Sequence, residues 1–293
     1  MTTRARAELA LIAVTLVWGA TFVVVKNALD HISTLLFLVL RFGVGTVALV
    51  LVFRHGIFAQ PQLRKVTIRA GLLAGICLVT AYFFQTLGLR HTTPSKSAFV
   101  TGLSAALVPF LAAIVYRTAP HVSEIAGAAA ATMGLGLLTL PPGRLEIGYG
   151  DALTLCCTVG FALHILILGR WSPVSNFALL STLQIATVAV LATLGMGLLE
   201  TPSIVWNPPV VIAIGVTGLL TTAVAFSVMA WAQRHTTATR AALIFTLEPV
   251  SAYVTAYLVE GERFTGRALA GAVLILSGIL LVELKPIGPS RHP

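Results

Sequence analysis

The sequence predicts an all-α integral membrane protein whose ten transmembrane helices form two inverted five-helix repeats. Three observations predict it. The 293 residues are 57% hydrophobic and only 10% charged, with a mean hydropathy of +0.94, whereas a soluble domain carries about 25% charged residues. No fold of this length has enough interior to hide that much apolar surface, so the surround must be lipid. The apolar residues gather in runs of about 20, the length that crosses a bilayer core of about 30 Å as a helix. Finally, the chain repeats itself, at sequence offsets of 143 and 144.

The runs lie at about 8–27, 33–53, 68–88, 97–116, 122–140, 151–169, 175–199, 210–231, 237–258 and 266–284, each bounded by charge, Pro or polar clusters. Arg4 and Arg6 precede the first run in the manner of a signal peptide. That run is long, however, carries Trp18 in mid-run, ends at Lys26 and has no Ala-x-Ala-like cleavage site, so it is expected to be a retained span. The longest connection, about 54–67, holds Arg54, Arg64 and Lys65, and no connection has room for an extramembrane domain. Strands of an outer-membrane barrel would be about ten residues of alternating polarity. These runs are continuously apolar and rich in Ala, Leu and Gly, which favours helices.

The net charge of +9 would point to nucleic acid in a soluble protein; here it reads as basic loops beside a membrane, with no nucleic-acid partner. With the N-terminus inside, the cytoplasmic ends hold Arg4, Arg6, Arg54, Arg64, Lys65, Arg69, Arg117, Arg170, Arg234, Arg240, Lys285 and Arg291. The outer ends hold Lys26, Arg90, Lys96, Arg144, Arg263 and Arg267. This excess predicts both termini in the cytoplasm, as an even span count requires. Cys77, Cys156 and Cys157 lie in apolar runs without metal-ligand spacing and read as small hydrophobes.

Arg90-His91-Thr92-Thr93 recurs, at an offset of 144, as Arg234-His235-Thr236-Thr237. The same offset takes Lys96 to Arg240, Gly71 to Gly215, Tyr82 to Phe226, Gly127 to Gly271 and Gly134 to Gly278. An offset of 143 takes Trp18 to Phe161, Thr21 to His164 and Arg41 to Gln184. Pro109 and Pro249, expected to kink the fourth and ninth spans, break the register by four residues. The repeats divide as residues 1–144 and 145–293. Five spans per copy is an odd number, so the second copy enters the membrane from the opposite side. Such halves can exchange conformations at similar energy, which is the basis of alternating access.

Polar groups at mid-depth are expensive in lipid and mark function by default. Glu248 lies eleven residues into its span, about 17 Å deep at 1.5 Å per residue. Either it carries a proton in a coupled exchange, or it stays ionised against a cation and holds helices together. Arg41, about 12 Å from the outer surface by the same rise, is the natural cation for that pair or for substrate. Lys96 and Arg240 stand at opposite mouths, where they draw anionic groups inward or snorkel to headgroups. His164 is the only histidine deep in a span and serves as a proton relay or a packing histidine. The glycines of the third, fifth and tenth spans offer small faces for packing within the bundle or against a second subunit, which leaves a homodimer open.

Trp18-Gly19-Ala20-Thr21-Phe22 and Leu40-Arg41-Phe42 resemble the drug/metabolite transporter superfamily, specifically its EamA-type ten-helix members. So do Gln85-Thr86-x-Gly88-Leu89, the run from Thr92 to Leu103, and Val108-Pro109. In the second half, Leu247-Glu248-Pro249-Val250, Gly261-Glu262 and Gly271-Ala272 carry the likeness. Arg117-Thr118-Ala119-Pro120 departs from it, standing where a Gly-Glu pair is expected. The resemblance implies an inner-membrane carrier for small organic solutes, in a family with members that export amino acids, other metabolites or toxic compounds. Aromatic residues with few polar groups at mid-depth suggest an amino-acid-like or amphiphilic cargo, and no cofactor is expected. It implies a cavity lined by helices one, three, four, six, eight and nine. Trp18, Thr21, Tyr82, Gln85, Phe99, Phe161, His164, Phe226 and Trp231 come from those helices and are the candidate lining. An intramembrane enzyme would need HExxH, GxSxG or converging metal ligands, none of which the sequence contains. A passive channel is the nearer alternative, but channels build their filters from oligomer symmetry rather than an internal inverted repeat.

Overall fold

The computed structural model describes residues 2–117, 119–140, 147–260 and 265–283. Arg144, Arg263, Lys285, Arg291, Gly261-Glu262, Thr118 and the junction at 144/145 lie outside the described residues. The rest is helical: α1 (Thr3–Leu29), α2 (Thr34–Phe53), α3 (Arg64–Arg90), α4 (Pro94–Gly102), α5 (Ser104–Tyr116), α6 (Val122–Thr139) and α7 (Tyr149–Trp171). Then come α8 (Phe177–Leu199), α9 (Pro208–Val216), a π-helical segment (Thr217–Val224), α10 (Ala225–Ala232), α11 (Ala238–Phe245), α12 (Leu247–Glu260) and α13 (Gly266–Glu283). Among the described residues, eight segments are long and apolar enough to cross a membrane, and Val122–Leu138 and Gly266–Val282 are shorter apolar helices. The outside of the bundle is apolar as well: Leu198 is 85% exposed and Ile114 73%. Lipid, not water, is the medium that tolerates such a surface.

Local chemistry sets the helix starts. Thr93 and Thr237 cap α4 and α11 by accepting the backbone N–H of Lys96 and Arg240 at 3.3 Å, and Asn176 and Asn207 do the same for α8 and α9. The N-terminus of α2 is capped from afar: the Glu200 carboxylate accepts from the N–H groups of Leu35 and Leu36.

The fourth and ninth spans break, but not as the prolines suggest. Pro109 lies inside α5, and the interruption falls earlier, at Leu103. Pro249 occupies the first turn of α12, where no backbone N–H is needed, and the break precedes it at Thr246. Leu103 and Thr246 are related by the offset of 143. At each break the backbone N–H donates three residues back, to Val100 O and Leu243 O respectively.

Packing pairs α3 with α7 and α8, α6 with α13, α2 with α8, and α1 with α12. The glycines make the closest of these approaches. A Cβ placed on Gly134 would stand 2.6 Å from Gly271 O, and one on Gly271 would stand 2.6 Å from Gly134 O. Gly127 and Gly278 are related in the same way, at 2.8 and 2.7 Å. These small faces of α6 and α13 therefore fill each other within one chain. Gly75 approaches Thr187 and Gln184 O on α8, while Gly218 approaches Val44 and Arg41 O on α2. Gly75 thus corresponds to Gly218, at offset 143. Gly215, the sequence match of Gly71, has nothing within 4 Å, so that pairing is corrected. The offset is 143 up to Gly218, near the start of the π segment, and 144 from Phe226, just beyond its end, to Arg240. A wider turn absorbs one extra residue, which explains the change in register.

Candidate functional site

A cavity lies within the bundle. α1 and α3 line it with their C-terminal halves, from Trp18 to Val25 and from Tyr82 to Leu89. The interrupted fourth span contributes Thr101, Gly102 and Ser104, and the interrupted ninth contributes Phe245 and Glu248. Phe161, His164, Phe226 and Arg41 complete the middle. A helix break frees backbone and side-chain groups to face an internal space, and irregular backbone is tolerated at membrane depth where it lines a cavity or is buried in protein.

The wall is aromatic and built in matching pieces. Trp18 packs on Phe226 at 5.4 Å between ring centroids, and Phe161 packs on Tyr82 at 5.2 Å. Trp18 corresponds to Phe161 at offset 143, and Tyr82 to Phe226 at offset 144, so the two contacts are counterparts. Tyr82 and Phe226 also meet each other, at 6.1 Å. Phe245 closes on Trp18 at 5.4 Å.

Arg41 is 5% exposed, and the π segment holds it. Its Nε donates to Thr222 Oγ1 at 3.0 Å, and its Nη2 donates to Thr221 Oγ1 at 3.2 Å and Tyr82 Oη at 3.3 Å. Its guanidinium carbon stands 4.5 Å from the centroid of the Tyr82 ring, a cation–π contact of about 2 kcal/mol when desolvated. The π segment also presents the carbonyl of Thr221 to the Trp18 indole N–H, which donates at 2.9 Å. One widened turn thus orients both the cation and the central aromatic side chain.

Glu248 lines the same cavity and lies within electrostatic reach of Arg41. No ion pair of 4.0 Å or less joins them, and among the described residues the Glu248 carboxylate has no hydrogen-bond partner. The cation expected to pair with it is occupied by hydroxyls instead. His164 Nε2 and Gln184 Oε1 share a hydrogen bond of 2.8 Å, both residues being buried. Gln85 donates to Thr101 Oγ1 at 3.0 Å.

Seven of the nine residues expected to line the cavity do so: Trp18, Thr21, Tyr82, Gln85, Phe161, His164 and Phe226. Phe99 does not; it packs against a separate apolar cluster that includes Leu135, Leu247 and Ile275. Trp231 meets His235 edge to face at 5.5 Å between ring centroids and does not line the cavity. Thr221, Thr222 and Phe245 are not anticipated by sequence; the only sequence signal for the first two is the change of offset between Arg41 and Tyr82. Lys96 and Arg240 face carboxylates rather than headgroups. Lys96 Nζ lies 3.6 Å from Asp151 Oδ2, and Arg240 Nη1 lies 3.5 Å from Glu8 Oε1.

Comparison with known proteins places this architecture. An "uncharacterized transporter" of Archaeoglobus fulgidus is 30% identical over 96% of this chain and 87% of its own length. The "uncharacterized transporter YyaM" of Bacillus subtilis is 27% identical over 89% of this chain and 88% of its own. A crystal structure with 18% identity has a TM-score of 0.77 over 96% of this chain and 98% of that one, a likeness of fold. The model of the EamA-like transporter family, a class of transporters and not of enzymes, matches twice, at residues 5–140 and 149–284. This multi-pass membrane protein belongs to the EamA-like transporter family.

Proposed function

We propose that the chain is an exporter of small amino-acid-like or amphiphilic organic molecules, working by alternating access between two inverted five-helix repeats, residues 1–144 and 145–293. Ten helices cross the inner membrane in this reading, with both termini in the cytoplasm. The observation that carries it is the doubled aromatic wall. Trp18–Phe226 and Phe161–Tyr82 are the same contact made by corresponding residues of each half. The reciprocal approaches of Gly127 to Gly278 and Gly134 to Gly271 support it further, because a two-fold relation exchanges partners in that way. A cavity whose walls interchange under such an axis has an outward-facing and an inward-facing form at similar energy.

Glu248 is the proton carrier in this proposal, supported by its place in the cavity without a hydrogen-bond partner. Counterflow in proteoliposomes tests the carrier: trans-acceleration of a substrate found by screening a deletion strain for metabolite resistance is expected. Ion currents without trans-acceleration would identify a channel instead. Glu248→Gln should abolish dependence on a pH gradient while exchange persists. Gradient-driven transport unchanged in that variant would refute the coupling role.

A further inference from the structure

The two ends of the bundle carry the same three-residue arrangement. At the end bearing the N-terminus, Glu8 of α1 accepts from Thr236 Oγ1 at 3.0 Å and pairs with Arg240 of α11 at 3.5 Å. Arg4 Nε reaches the same carboxylate oxygen at 2.7 Å. At the opposite end, Asp151 of α7 accepts from Thr92 Oγ1 and pairs with Lys96 of α4 at 3.6 Å. Glu8 corresponds to Asp151 at offset 143, and Thr92 and Lys96 correspond to Thr236 and Arg240 at offset 144. The ends are opposite because α3 and α7 run antiparallel: Gly88 meets Thr154, while Cys77 and Ala81 meet Gly160. The C-terminal end of α3 is tied to that of α1, since Lys26 Nζ donates to Leu89 O and Arg90 O. In each triad the acid belongs to the first helix of one half, the threonine to the third-to-fourth connection of the other, and the base to the first turn of the helix that follows it.

We infer that these triads are twin latches that close the two mouths of the cavity, each opening in turn while the other holds. The inference rests on the alternating-access reading and assigns it named residues. The bonds cross between halves, so relative motion of the halves must break them at the opening mouth. They are also unequal. The Glu8 and Arg240 side chains are 16% and 5% exposed, against 10% and 32% for Asp151 and Lys96. The latch on the N-terminal face is the more deeply seated, and the cavity reaches toward the other, along α1 to Val25 and along α3 to Leu89. Removing one charge from a latch destabilises the state closed at that mouth and shifts the population toward the state open there.

The test needs no substrate. In the full chain with Cys77, Cys156 and Cys157 replaced, a single cysteine at Ser104 on the cavity wall is labelled by an impermeant maleimide. The probe is added to one face or the other of sealed membranes. Asp151→Asn, which keeps an oxygen for the backbone N–H of Gly148, should raise the ratio of labelling from the face opposite the N-terminus about tenfold. Glu8→Gln should lower it about tenfold. Exchanging the charges, Lys96→Asp with Asp151→Lys, should return the ratio toward its starting value, which a merely loosened fold would not do. Ratios that move together, stay fixed, or fail to recover on exchange would overturn the latches. Latches that respond as expected in a chain without trans-acceleration would overturn the carrier reading alone.

Discussion

Replacing Gly218 by alanine should disturb both the packing and the cation site, whereas the same change at Gly215 should not. A Cβ on Gly218 would lie 3.0 Å from the carbonyl oxygen of Arg41 and 2.9 Å from Val44 Cγ1, while ordinary contact begins at 3.4 Å. The valine can turn, but the carbonyl is backbone, so the π segment and α2 must part by a few tenths of an ångström. The same movement would stretch the Arg41–Thr222 and Arg41–Thr221 bonds, which are 3.0 and 3.2 Å long. The second would approach about 3.6 Å, where it is no longer a hydrogen bond. Overpacking costs about 1–3 kcal/mol, and a hydrogen bond to a charged group contributes about 1.5–3 kcal/mol. The flexible guanidinium can follow part of the shift, so a net loss of about 2 kcal/mol is expected, or about 4–8 °C in Tm for a chain of this size. Gly215→Ala adds a methyl where nothing lies within 4 Å and should change stability by less than about 0.5 kcal/mol. Thermal unfolding of the two variants in detergent, followed by tryptophan fluorescence, checks this. Equal midpoints would refute both the register across the π segment and the role assigned to it.

Further outcomes follow from the same geometry. Gly134→Ala and Gly271→Ala should each lower the thermal midpoint, and together should cost less than their sum, because one separation of α6 from α13 relieves both clashes; Gly136→Ala, whose Cβ meets only Leu140 at 3.7 Å, should be neutral. Trp18→Phe keeps the ring but strands the Thr221 carbonyl that the indole N–H satisfies, so a loss of about 1 kcal/mol is expected in the same unfolding assay. Phe161→Ala should weaken substrate affinity in the counterflow assay by enlarging the cavity wall. Phe99→Ala should lower stability and leave affinity unchanged, because Phe99 packs against the apolar cluster of Leu135, Leu247 and Ile275 and not on the cavity.

Much of the cavity is legible as pairs of corresponding residues. Trp18 with Phe161 and Tyr82 with Phe226 can be matched by offset alone, and all four line it. Arg41, Glu248 and His164 are visible because polar groups at that depth are rare and costly. Phe99 and Trp231 are misplaced by sequence for a physical reason. In a soluble helix the polar stripe reveals which side faces out, but in lipid the outside is as apolar as the core. Periodicity therefore cannot tell a cavity-facing aromatic residue from one buried between helices. The helix breaks mislead for a related reason: Pro109 continues inside α5, and the interruptions fall at the corresponding positions Leu103 and Thr246.

By itself the sequence determined the lipid surround, the approximate positions of the apolar helices, and the recurrence of motifs along the chain. Each of these follows from local composition or from comparing the chain with itself. Tertiary structure alone decided that Arg41 is held by Thr221, Thr222 and Tyr82 rather than by Glu248. It likewise decided that Glu8 and Asp151 complete matching triads at the two ends. These partners are far apart along the chain, and a one-residue insertion set their alignment. That insertion changes which face of the eighth span meets α2, and this depends on where the helix widens in space.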